Sequence, residues 1–83
     1  SDQTHSSLFK ALRVLGFARD QRRLIATDAS LRLSVPALRA AIEADLTAGR
    51  RPLCVVANAG TTNTGAIDPL REVADLCAEH DVW

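Results

Sequence analysis

Eighty-three residues make one small domain at most, and a chain of this size buries only ~60–65% of the surface it exposes when unfolded. Ten basic residues stand against ten acidic ones, which leaves no electrostatic footprint for nucleic acid or an anionic membrane. No apolar stretch approaches the ~20 residues of a membrane span, and no charged-then-apolar leader points to secretion.

Cys54 and Cys77 are too far apart in sequence for a metal knuckle or a CxxC redox pair, and two cysteines make no disulfide framework. Reduced thiols in a cytoplasmic protein are the expectation. Methionine is absent, and the sequence stops at Asp81-Val82-Trp83 as an apolar run opens. Both features lead us to expect an internal piece of a longer protein or a processed segment, with residues 1–83 no complete domain.

In chain order, Leu8, Ala11, Leu12 and Leu15 recur at helical spacing, with Lys10 and Arg13 on the other side. Gly16 is placed to end that helix. Leu24-Ile25-Ala26-Thr27 suits a short buried strand, and Asp28 to Ser34 reads as a loop. Ser34 can cap a second helix that tolerates Pro36 in its first turn. Leu38, Ala41, Ile42 and Leu46 form its apolar stripe, and Gly49 is its stop.

Pro52-Leu53-Cys54-Val55-Val56-Ala57 is continuously apolar, the look of a strand covered on both faces. A polar Gly/Thr/Asn loop follows, from Asn58 to Ile67. Asp68-Pro69 reads as a helix start, with Asp at the cap and Pro at the first position. Leu70, Val73, Ala74 and Cys77 give the third helix its buried side, and Val82-Trp83 would open another strand. The order α-β-α-β-α argues for an α/β segment of a mainly parallel sheet with right-handed crossovers. Only two complete strands are present, too few for a stable sheet without neighbours.

Ligands of parallel α/β sheets bind outside the carboxyl ends of the strands, and the loop Asn58–Asp68 leaves a strand at such an end. Gly60 and Gly65 have the spacing of two phosphate-loop glycines. Ala66-Ile67 stand where Lys and Ser/Thr are required, so a P-loop is rejected. On pattern alone the loop is either a polar turn whose threonines bond their own backbone or a ligand loop. His5, followed by two serines that can cap a helix, is either a plain helix-start residue or a ligand-facing imidazole. His80 reads as a structural residue that can interact with the negative end of the third helix. The scattered His and Cys residues give no metal site.

SDQTHSSLFKALRVLG together with VVANAGTTNTGAIDPLREVADLC and HDVW resembles the pyridoxal phosphate-dependent amino acid decarboxylases of group II, the aromatic L-amino acid decarboxylase type. The resemblance runs from Ser1 to Trp83, and its specificity lies in the pair of motifs in this order. It implies the large domain of the fold type I PLP-dependent transferase (aspartate aminotransferase-like) fold. It also implies pyridoxal 5'-phosphate as cofactor, an L-amino acid, in particular an aromatic one, as substrate, and a homodimer. His5 matches the histidine that stacks on the cofactor ring near the substrate carboxylate, and Thr62 matches the threonine of the Gly-Thr-Thr loop that contacts the cofactor.

The family's aspartate for the pyridinium nitrogen and its Schiff-base lysine lie outside these residues. Lys10 falls off the apolar stripe and five residues past His5, where the family places no catalytic lysine, so it reads as a surface residue. The isolated chain is therefore expected to be inactive and weakly cooperative. Decarboxylases of glutamate, diaminobutyrate or histidine share the architecture and stay open as alternatives, as does a non-catalytic α/β scaffold segment.

Overall fold

Ser34 acts as the sequence predicts: its Oγ accepts the Ala37 N–H at 3.3 Å, and the helix it caps carries Pro36 in its first turn. In the computed structural model, which describes residues 1–83, this helix is the second of three. They are α1 (Ser6–Val14), α2 (Val35–Thr47) and α3 (Leu70–Glu79), with a short 3-10 turn at Arg19–Gln21.

All three helices end in the same way. In α2 the Arg50 N–H reaches back to the Asp45 carbonyl and the Gly49 N–H to Leu46, a Schellman closure that needs a left-handed residue at Gly49 (φ 75°). Gly16 (φ 88°) closes α1 through Phe17 to Leu12 and Gly16 to Arg13. The third closure has no glycine: Asp81 takes the left-handed conformation at φ 53°, and Val82 N–H bonds to Cys77. That bond folds Val82 back onto α3, where it is buried.

Ile25, Leu33, Leu38, Ile42, Val73, Leu76, Cys77 and Val82 form the core, with Val55 and Ala57 packed against it. It lies between α2 and α3, which Arg39 and Glu79 also join through paired contacts of 2.7 and 2.8 Å. Leu76 is the member that the expected α3 stripe omits. Leu70 and Ala74, which that stripe includes, are exposed, as are Ala11, Leu15 and Leu46 of the two earlier stripes. The buried side of α3 is rotated so that Leu76 faces α2, because Val73, Leu76 and Cys77 share one face at three- and four-residue spacing.

The expected strands do not form a sheet here. Residues 24–27 and 52–57 run without assigned strand structure, and pairing is limited to isolated antiparallel bridges at Thr27–Leu33 and Ala59–Ile67. An apolar run becomes a strand only when a neighbour accepts its backbone hydrogen bonds, and these runs do not lie against each other as a ladder. One parallel contact exists. Trp83 N–H donates to the Leu53 carbonyl at 3.1 Å and Val55 N–H to the Trp83 carbonyl at 2.6 Å, so one residue bonds to positions two apart, as in parallel pairing. Leu53 and Val56 otherwise remain exposed.

Candidate functional site

His5 is itself the N-cap of α1. Its Nδ1 accepts the Ser7 backbone N–H at 3.2 Å and lies 2.9 Å from Ser7 Oγ. A ring nitrogen that accepts an N–H carries no proton, so the neutral imidazole holds its proton on Nε2. The cap fixes the ring's edge and leaves Nε2 uncommitted on an exposed residue.

The loop after residue 57 is a closed hairpin of its own. Thr61 is buried, its hydroxyl pairs with Thr64 Oγ1, and it accepts the Thr64 N–H at 3.3 Å. Its carbonyl also accepts the Gly65 N–H at 2.8 Å. Thr62 is the reverse: it is exposed at the tip, and none of the chain's hydrogen bonds engages its hydroxyl. Thus the polar-turn reading holds for Thr61 and Thr64, while Thr62 keeps a hydroxyl free to meet a ligand.

Asp68 departs from its expected role as helix cap. The helix begins at Leu70, Pro69 occupies the cap position, and no side chain caps it. The Asp68 carboxylate instead accepts Leu33 N–H at 2.7 Å, Asn58 N–H at 2.7 Å and Asn58 Nδ2 at 3.2 Å. At 2% exposure it is buried, and a buried carboxylate is tolerable only with several donors around it. Three N–H groups from other segments meet that demand, which the open end of α3 cannot. Burial pushes this carboxyl up, but the Leu33 and Asn58 hydrogen bonds more than offset that and hold it below the usual carboxylate range.

Asn58 Nδ2 also donates to Thr4 Oγ1 at 3.0 Å. The stretch before His5 and the loop bearing Thr62 are therefore joined through Thr4, Asn58 and Asp68. No hydrogen bond runs between His5 and Thr62 themselves. Sequence reading missed Asn58, Thr4 and the true role of Asp68. The available signal was an Asn and an Asp at the two feet of a glycine-bearing loop, where each can serve the other's backbone.

The remaining polar and ionisable residues lie as follows. Lys10 is exposed on α1. His80 is the C-terminal cap residue of α3, with Nε2 buried, lacking a hydrogen-bond partner and 3.7 Å from Glu79 Oε1. Cys54 and Cys77 are free thiols, and burial pushes Cys77 up. No cluster of His, Cys, Asp and Glu could hold a metal ion, and no helix is long and apolar enough to cross a membrane. Two concavities lie elsewhere, one along Phe9, Leu12 and Arg22 and one beside Leu53 and Trp83. Neither concavity is lined by His5 or by any residue of the Thr62 loop.

The model of the pyridoxal-dependent decarboxylase conserved domain matches residues 1–83, the whole chain. The chain belongs to this family. It is 58% identical over its full length to an aromatic-L-amino-acid decarboxylase of Bacillus atrophaeus, of which it covers 17%. It is 52% identical to an L-2,4-diaminobutyrate decarboxylase of Rhizobium meliloti (strain 1021), again covering 17% of the relative. Among solved structures, Rhodiola rosea 4-hydroxyphenylacetaldehyde synthase matches all of this chain at a TM-score of 0.94 and 35% identity, with 18% of that protein covered. Oryza sativa TDC with PLP and tryptamine matches 99% of it at a TM-score of 0.93 and 43% identity, with 17% covered. The chain thus spans less than a fifth of the length of these relatives.

Proposed function

We propose that the chain is a segment of the large, cofactor-binding domain of a fold type I PLP-dependent decarboxylase. Its reaction converts an L-amino acid, in particular an aromatic one, to the amine and carbon dioxide. The observation that carries this reading is the junction of the two family motifs. Asn58 ties the His5 stretch to the Gly60-Thr61-Thr62 loop, while His5 and Thr62 both keep uncommitted polar groups on exposed residues.

These residues fit pyridoxal phosphate by their chemistry. His5 offers a flat ring whose edge is pinned by Ser7, suited to stacking, and Thr62 offers a hydroxyl for a polar contact. When bound, the cofactor supplies an electron sink for the electrons released as carbon dioxide leaves. The chain's share is positional. A stacked imidazole fixes the plane against which the breaking bond is aligned, and Nε2–H can orient a carboxylate or hand over a proton. Lys10, exposed on α1, takes no part.

The 58% identity to the Bacillus atrophaeus enzyme favours an aromatic substrate. A second reading, decarboxylation of a diaminobutyrate-type amino acid, is favoured by the 52% identity to the Rhizobium meliloti enzyme. We extend the reading to a cytoplasmic homodimer on the resemblance, with the two free thiols in keeping with a reducing compartment.

The test is made on the full-length protein. Borohydride should fix the pyridoxal chromophore to a lysine outside residues 1–83, with the Lys10 peptide unmodified. His5→Ala should lower kcat at least about tenfold while costing only about 1 kcal/mol of stability through the lost cap. A full-length protein that never binds the cofactor, or a His5→Ala variant with normal turnover, overturns the assignment. Amine release from an aromatic amino acid or from diaminobutyrate then decides between the substrates.

A further inference from the structure

Asn58 is half-buried where residues 52–57 turn into the loop. Its backbone exchanges two hydrogen bonds with Asp68: N–H to Oδ2 at 2.7 Å, and the carbonyl accepting the Asp68 N–H at 2.9 Å. Its side-chain nitrogen donates to the same Oδ2 and to Thr4 Oγ1. An ionised carboxylate can only accept, so the amide must turn its nitrogen, not its oxygen, toward Asp68. Thr4 Oγ1 is then the acceptor by elimination. This is the only hydrogen bond between residues 1–17 and residues 58–68.

Little else holds that end of the molecule. α1 contains no buried residue. Its segment is attached by Asp2 N–H to the Ile25 carbonyl at 3.0 Å, by Arg22 stacked 4.4 Å over Phe9, and by half-buried Leu8, Phe9 and Leu12. A single bond next to His5 therefore has unusual leverage over where the imidazole stands.

We propose that Thr4 and Asn58 are positioning residues. Their hydrogen bond, backed by Asp68, sets the place of the His5 ring relative to the loop that carries Thr62. Neither touches the reacting atoms. Each acts through its neighbour. The link is a property of the chain, and only its effect on cofactor grip rests on the decarboxylase reading.

The test uses the full-length protein in its cofactor-free form and reads amide hydrogen exchange by mass spectrometry. Thr4→Val keeps the volume and removes the acceptor, and Thr4→Ser keeps the acceptor. Exchange in peptides spanning residues 2–9 should rise about three- to tenfold in Thr4→Val, the change expected from losing one net hydrogen bond. Peptides of α2 should not change, and Thr4→Ser should stay within about twofold of the parent. Asn58→Ser, too short to reach Thr4 but still paired to Asp68 through its backbone, should behave as Thr4→Val does. Unchanged exchange in Thr4→Val, or a Thr4→Ser variant as fast as Thr4→Val, overturns the proposal. Affinity for added pyridoxal phosphate, titrated by fluorescence, should weaken in the same order. A protein that shows the exchange pattern yet binds no pyridoxal phosphate upholds the link and refutes the decarboxylase reading, so the two failures are separable.

Discussion

α1 and α3 are written in similar code, with apolar residues at helical spacing and charges between them, yet they are held in opposite ways. α3 buries Val73, Leu76 and Cys77 against α2 and Val82. α1 buries nothing, and Val14 and Leu15 stay 88% and 72% exposed. Amphipathic spacing states that a face wants cover and is silent on what covers it. One helix is fixed by a buried face, the other by hydrogen bonds at Asp2 and Thr4, a cation over a ring and three half-buried side chains. The helix that carries the candidate site is thus the one whose position polar contacts can set.

The sharpest way to break this contrast is to truncate one apolar residue on each helix. Leu76→Ala should cost about 3 kcal/mol and speed exchange of the α3 amides about a hundredfold. Leu12→Ala, half-buried, should speed exchange about tenfold or less, and only within α1. Equal effects on the two helices would end the distinction.

A smaller effect separates the polar hub from the packed core by pH. The folded Asp68 carboxyl lies below its ordinary range because the Leu33 and Asn58 donors outweigh burial. Its contribution is therefore complete above the unfolded value of about 3.9 and is lost as pH falls through the folded value. Asp68→Asn should cost about 2 kcal/mol near pH 7, and the deficit should shrink on acidification. Far-ultraviolet circular dichroism against pH reads both, and parallel acid limbs for parent and variant would contradict the hub. At the small end, Lys10→Ala should shift stability by no more than about 0.5 kcal/mol, as at other exposed positions, and leave cofactor attachment unaltered. A loss of bound chromophore in that variant would place Lys10 in the site.

Local features were legible in the residues. Ser34, Gly16 and Gly49 act within one turn of where they stand, and each does what its chemistry predicts. Asp68 was misread for the same reason: an Asp before Pro satisfies a local rule, while the donors that claim it lie 35 and 10 residues away. The runs at 24–27 and 52–57 suggested strands by composition, but a ladder is a relation between segments, and a run cannot name its neighbour. The Trp83 contact shows pairing where two segments do meet. For the site, His5 and the Gly-Thr-Thr loop could be picked out by residue type, whereas the Asn58 bridge between them could not, since its partner Thr4 is 54 positions away.

The adjacent Thr61 and Thr62 look like a repetition, and they are not spares for each other. One hydroxyl is spent inside the loop on Thr64, and the other points to whatever the loop faces. Replacing Thr61 removes two hydrogen bonds that close the turn, whereas replacing Thr62 leaves the turn closed and alters only what its tip presents. The two neighbours therefore answer to different demands, Thr61 to the shape of the turn and Thr62 to what lies outside it.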